Sequence, residues 1–402
     1  MKSMLSSAAL SLALVAACGV SHPTTDNGQS NGTVNGGSTQ TGGGTAASCP
    51  LGEATLNVNL GAASATSLLD LAIDANANVF VAGDFGLQAF SAMGSALFSL
   101  PAGTLVRTDA QGNIYVVGSF TSRIDLGAGV MVPNGNIDVF VAKLDVKGKI
   151  LFVKQLGLCG DGVMSLAIAA NGRIAISGTA MGTVVLSASG DVLFSLQQSG
   201  FVAFDSKGNV YIASTLAAGV EIGASVAQMG DTLRIMKVDL SGNVVFSQTF
   251  QGTARFNGIA IDASDHIQLI GETRGTIDFF GTSVTARTAG ESGFVSGAFL
   301  VELDTTCSLV LVRDLGMVEA NGIAIDLDGN IFIAGATTVN TGFFRAIAVM
   351  KIDVRGVMSN VDLGLAAQNG RALALAVDAC GAVYVAVVQQ ASPSAMSAIS
   401  AV

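Results

Sequence analysis

Side chains able to do chemistry are few in this 402-residue chain. Histidine occurs twice, at His22 and His266. Three-histidine zinc sites are therefore excluded, and a Ser-His-Asp relay would have to use His266 as its base. His266 stands in a turn that enters an apolar strand, and equivalent turns carry Arg173, Lys207 and Asp328. If those turns ring an axis, the four form a polar set at the mouth of a channel, where a hydrolase or lyase would work. They are also what polar turns ordinarily contain, so no catalytic residue is assigned. Asp326, Asp328, Gly329 and Asn330 imitate the opening of a calcium loop. The twelfth position, which needs a bidentate Glu, is Thr337, so an Asp that caps backbone N–H groups is the better reading. Asp84, Glu272 and Asp278 follow apolar strands, but nothing in the sequence sets the carboxylate separation that glycoside hydrolysis requires. No metal site and no cofactor is expected.

Those turns belong to a repeated phrase: an apolar strand, an Asp-x-x-Gly-Asn turn, and a second apolar strand ending in Gly. Its turn position falls at Asp74, Asp109, Ala169, Asp205, Asp262, Asp326 and Asp378. A second phrase lies between copies, at 141–154, 235–248, 300–313 and 350–358, and reads as strand, Asp/Gly turn, strand. One unit is then four short antiparallel strands, the content of a propeller blade. In the shortest unit these are 79–83, 87–93, 96–100 and 104–107, with the strand after the Asp turn innermost. Longer units insert material at 124–137, 276–292 and 339–345, where loops on a rigid scaffold would carry recognition. At the ends, 54–60 and 68–73 supply one half of a blade, and 382–388 and 395–402 supply the other. The expected fold is all-β: a seven-bladed β-propeller closed by N- and C-terminal strands that share the last blade.

Half the residues are hydrophobic, only 12% are charged, and mean hydropathy is +0.59. The apolar runs of the body are too short for spanning helices. With no Trp and three Tyr, the chain lacks the aromatic girdles of an outer-membrane barrel. The same scarcity argues against a sugar-binding platform, and Tyr115, Tyr211 and Tyr384 recur at one strand position, which implies packing. Net charge is −10 with scattered Lys and Arg, so nucleic acid is not an expected partner.

The N-terminus reads as an address. Residues 1–17 have a positive start and a short apolar core, ending Val15-Ala16-Ala17 before Cys18. This resembles the bacterial lipoprotein signal, which implies cleavage before Cys18, a lipid on its thiol and a membrane anchor. Gly19 after the Cys implies the outer membrane rather than the inner. Residues 18–50 are a Gly/Ser/Thr/Asn-rich stretch expected to be a disordered tether, and 51–402 the propeller. Of the remaining cysteines, Cys49 and Cys380 flank the closing blade and are expected to bridge, as an oxidising compartment favours; Cys159 and Cys307 stay free.

The paired phrases, with their Asp-x-x-Gly-Asn-(Ile/Val)-(Tyr/Phe) core, resemble the bacterial SBBP-type β-propeller repeat found in exported lipoproteins. The resemblance implies fold and location rather than activity. Turns at Asn171-Gly172-Arg173 and Asp265-His266 depart from the pattern, which puts their geometry in question. The expected function is a monomeric cell-envelope binding or scaffold module for a protein or cell-surface partner; the alternative is the hydrolase or lyase above.

Overall fold

The computed structural model describes residues 9–15, 55–62, 70–156, 162–217, 220–222, 230–289, 294–339, 344–361, 370–379 and 381–389. No helix occurs among the described residues. Antiparallel sheets of four strands follow one another along the chain. The first holds Asp70–Ile73, Val79–Gly83, Gly86–Phe90 and Ala96–Leu100, hydrogen-bonded in chain order. The next holds Leu105–Thr108, Ile114–Phe120, Asp138–Leu144 and Ile150–Gln155. It is followed by Val163–Ile168, Ile174–Gly178, Gly182–Leu186 and Val192–Leu196.

A larger sheet begins with Phe201–Phe204, Val210–Ala217 and Gly230–Val238. The long strand Val244–Ile261 then serves twice. Its start pairs with Gly230–Val238, and its end pairs with Ile267–Thr273, which leads on to Phe294–Leu303 and Leu309–Asp314. Another four-stranded sheet comprises Glu319–Ile325, Ile331–Val339, Phe344–Ile352 and Met358–Asn360. The last joins both regions of the chain, in the order Gly370–Val377, Val383–Gln389, Ala9–Val15, Thr55–Ala62.

Burial sets the radial order. Second strands such as Val79–Gly83 and Ile267–Thr273 are buried throughout, whereas the fourth strand Ala96–Leu100 is mostly exposed. First strands pack on one another in chain order, and Gly370–Val377 packs on Asp70–Ile73. Their crowding explains a small residue two positions before each turn: Ala72, Ala167, Ala203, Ala260, Ala324 and Ala376. Arg107 alone breaks that series, its guanidinium held by the Asp70 carboxylate and the Val106 carbonyl.

Two expectations are corrected here. The strand before the Asp turn pairs with the strand after it inside one sheet, so the former is innermost and the sheet boundary moves by one strand. The third place of the last sheet, expected for 395–402, is held by Ala9–Val15, paired on both sides. Residues 395–402 lie outside the described residues, as does most of 1–50.

The turns form for local reasons. The Asp74 carboxylate accepts hydrogen bonds from the backbone N–H of Asn76 and Asn78, both at 2.9 Å. Asp109, Asp205 and Asp326 repeat this within 0.2 Å. The two departing turns keep the geometry. Asp265 takes φ +63° where Gly208 and Gly329 take +82° and +86°. Without an Asp, the Ala169 N–H still donates to the Arg173 carbonyl at 2.9 Å, and the Asn171 side-chain oxygen accepts from the Arg173 N–H at 3.1 Å.

The core sits between neighbouring sheets. Tyr115 is fully buried against Val184 and Leu186, and Tyr211 against Phe299 and Val301. Each such ring contributes about 2–3 kcal/mol through burial. Glycine lets one sheet lie flat on the next: a Cβ on Gly148 (φ +81°) would stand 2.6 Å from the Phe98 ring of the preceding sheet.

Candidate functional site

The sheets have two ends. At one, here the turn end, Asp turns join first to second strands and third to fourth. At the other lie the second-to-third connections and the links between sheets. Arg173, Lys207, His266 and Asp328 all stand at the turn end, none of them buried. No hydrogen bond joins any two of them among the described residues. Arg173 donates to the carbonyl of Leu240 at 3.3 Å, in a turn of the following sheet. His266 Nδ1 lies 3.0 Å from Glu302 Oε1 on the neighbouring strand. Lys207 and Asp328 are exposed, and Asp328 uses its own N–H to complete the Asp326 turn.

The carboxylates at this end are engaged by their own turns. Asp205 accepts from Lys207 N, Asn209 N and Asn209 Nδ2, and pairs with Lys237 Nζ at 3.4 Å. Lys237 also lies over the Tyr211 ring, as Lys143 lies over Tyr115 beside Asp109. Burial, with Asp109 nearby, pushes the Tyr115 phenol up from its usual pKa; Tyr384 beside Asp378 behaves alike. These tyrosines are packing residues, as their shared strand position implied.

The opposite end holds a buried polar group that the sequence reading saw only in part. Glu272 is 3% exposed; Arg255 Nη2 lies 3.1 Å from its Oε2, and Asn257 Nδ2 2.7 Å from its Oε1. The same Asn257 amide donates to the carbonyl of Ala320 in the next sheet, at 2.7 Å. Burial drives the Glu272 carboxyl above its usual pKa, while Arg255 and Asn257 pull it back. Glu319 and Arg371 take the register position of Arg255 in the two following first strands. Asn321 reaches across as Asn257 does, to the carbonyl of Ala372 at 2.8 Å. The group clasps three sheets, and both oxygens of Glu272 are already occupied by it. Of the other flagged acids, Asp84 is exposed and Asp278 caps its own hairpin through Gly281 N.

A cavity of about 490 Å³ opens at this end, lined by Pro101, Phe120, Thr121, Ser122, Arg123 and Ile137. Ser119 also lines it, and its Oγ is buried without a hydrogen-bond partner. Nearby, Asp138 is fully buried; its Oδ2 accepts from Asn134 N and Gln155 Nε2, and its Oδ1 has no partner. Hydroxyls, one cation and apolar walls suit a small polar molecule or a partner's side chain. The insertion 124–137 forms one wall. Its hairpin Ile124–Asp125/Val130–Met131 is anchored by buried Leu126, while Val130 and Val132 are more than half exposed. In the second insertion, Thr276–Phe279 and Thr282–Thr285 pair, with Ile277, Phe279 and Val284 buried. Phe280 remains 44% exposed at its tip with φ +53°, a conformation costly for a bulky residue.

Cys18, Cys49, Cys159 and Cys380 lie outside the described residues. Cys307 is free and buried. No cluster of three or more metal-ligating side chains occurs among the described residues.

Four-stranded antiparallel sheets, inner strand to inner strand and core between sheet faces, define the β-propeller class. In agreement, the SBBP β-propeller repeat family matches residues 316–343, the phrase that spans Glu319–Ile325 and Ile331–Val339. The chain is a β-propeller repeat protein. No curated protein sequence matches it. Among solved structures, the Neurospora crassa Pan2 WD40 domain is similar at 10% identity and TM-score 0.48, covering 81% of this chain and 89% of that one. A streptogramin B lyase is similar at 12% identity and TM-score 0.46, covering 82% and 96%. A Bacteroides caccae protein of unknown function is similar at 11% identity and TM-score 0.39, covering 64% and 85%.

Proposed function

We propose that this chain is a cell-envelope lipoprotein that displays a seven-bladed, ring-closed β-propeller as a binding or scaffold module for a protein partner. The lipid sits on Cys18, residues 1–17 are removed, and the anchor lies in the outer membrane. Ring closure is supported by the contact of Gly370–Val377 with Asp70–Ile73.

One observation carries the binding reading. The insertions at 124–137, 276–292 and 339–345 all leave from second-to-third strand connections, at the end that also holds the cavity. The shallow, solvated setting of Arg173, Lys207, His266 and Asp328 favours binding over catalysis at the turn end.

Because the insertions at 124–137 and 276–292 bury part of themselves in the core, the test uses point changes. A photo-crosslinking residue is placed at Val132 or Phe280, and as control at Met93, an 89% exposed tip of the turn end. Cross-linking in intact cells to one discrete product at Val132 or Phe280, absent at Met93, is expected. Equal labelling at all three positions removes the proposal.

A further inference from the structure

The cavity at the insertion end lies where two sheets lack the side chains that fill the same level elsewhere. Seven residues before the turn position, Arg255, Glu319 and Arg371 stand in three successive first strands. At that position the second and third sheets have Ala102 and Gly162, and both line the cavity. Ten residues after the turn position, Glu272 is held by Arg255 and Asn257. The second sheet has Ser119 there, with its buried Oγ unpartnered. One sheet thus carries its own carboxylate and guanidinium, and the other a hydroxyl beside open volume.

We propose that this cavity binds a carboxylate on an aliphatic stem, from a free short-chain acid or from a protein partner; this deepens the reading of the insertion end as the binding end and rests on it. Arg123 is the one charged residue on the wall among the described residues. It is exposed, and has neither an ion pair nor a hydrogen bond among the described residues. The acids nearest to it in sequence are engaged elsewhere. Asp125 accepts from Gly127 N and Gly129 N, at 2.7 and 3.2 Å. Asp138 is fully buried and off the wall, so a cation in the cavity has no carboxylate to meet. A free guanidinium takes a carboxylate through two parallel N–H···O bonds. The hydroxyls of Thr121 and Ser122 stand beside it as further donors. Phe120, Ile124 and Ile137 supply apolar surface for a stem of a few carbons. The volume of about 490 Å³ lies within the range of small-ligand sites, about 300–1,000 Å³.

The test titrates the full-length chain by NMR with three acids, each against its neutral isostere. These are valerate against valeramide, acetyl-Gly-Gly-Val with a free C-terminus against its amide, and acetyl-Gly-Glu-Gly amide against its Gln counterpart. At least one acid is expected to bind, and its isostere to bind more weakly by about tenfold or more, as should that acid to Arg123→Gln. Arg123→Lys should recover only part of the affinity, because an ammonium lacks the planar fork. Lys147→Gln, exposed on a turn of the opposite end, should bind as the parent does. A peptide acid that outbinds valerate by about tenfold or more assigns the site to a partner's carboxylate, and any smaller ratio assigns it to a free acid. Equal binding of acid and isostere, binding of pentylamine in their place, or an Arg123→Gln chain that binds like the parent overturns the proposal. So does the absence of binding by any of the acids at about 10 mM. Photo-crosslinking from Val132 tests the protein-partner reading separately. A discrete cross-linked product with no acid bound ends this proposal alone, and valerate binding without such a product ends the partner reading alone.

Discussion

Asn257 Nδ2 lies 2.7 Å from Glu272 Oε1 and 2.7 Å from the carbonyl oxygen of Ala320. One amide thereby ties a buried acid to the neighbouring sheet. Asn257→Ala removes both bonds and leaves a buried carboxyl and a carbonyl short of donors. The expected cost is about 2 kcal/mol, read as a lower urea midpoint with unchanged slope. An unchanged midpoint would mean that water replaces the amide without loss.

The same acid gives a pH dependence with a definite sign. Burial raises the folded-state pKa of Glu272 above its ordinary 4.5. The folded protein therefore holds this proton more tightly than the unfolded chain does. The resulting stability is full below about pH 4.5 and is lost as pH rises through the folded value. Glu272→Gln cannot lose the proton, so its stability relative to the parent should improve from pH 4 to pH 8. A difference that stays flat across that range would contradict the shift.

Turn carboxylates should differ in weight by burial. Asp205, 6% exposed, accepts three local hydrogen bonds and pairs with Lys237. Asp205→Ala is expected to cost about 2–3 kcal/mol, since it leaves Lys237 without its carboxylate as well. Asp239 makes an equivalent turn in the open, bonded to Ser241 N and Asn243 N. Asp239→Ala should cost clearly less, and thermal melts of the pair decide the order.

Cys307 occupies a turn position with φ +64° where the matching turns have Gly148, Gly242 and Gly356. Burial raises its thiol pKa, and the side chain packs in the cluster of Tyr211 and Phe246. In the folded protein its peptide should escape iodoacetamide at pH 8 and be labelled on addition of denaturant. Labelling of Cys307 in the native state would show that this turn opens.

Gly182 has φ +68°, and a Cβ there would run into the carbonyl oxygen of Leu196 in the fourth strand of the same sheet. Gly182→Ala should destabilise by at least about 2 kcal/mol, because left-handed backbone alone costs an L-residue about 1–2 kcal/mol. Gly275, which has open space around it, serves as control. Gly275→Ala should stay within about 0.5 kcal/mol of the parent.

What the sequence determined by itself is local. The Asp turns, the strand pairs on either side of them and the packing role of Tyr115, Tyr211 and Tyr384 arise within about a dozen residues. There a carboxylate, a left-handed residue and an apolar alternation act directly on the backbone. Even the two departing turns were held by local means, Asn171 replacing the Asp and Asp265 the Gly. Only the tertiary structure decided where one sheet stops and the next begins, because a strand flanked by two equally apolar strands can pair with either. Arg255, Asn257, Glu319, Asn321 and Arg371 gave no spacing signal, since Asn257 meets Ala320 across 63 residues of chain. The insertions looked like free loops until Leu126, Ile277 and Phe279 were found in the core. The third place of the last sheet was likewise open to any uncharged segment running the right way.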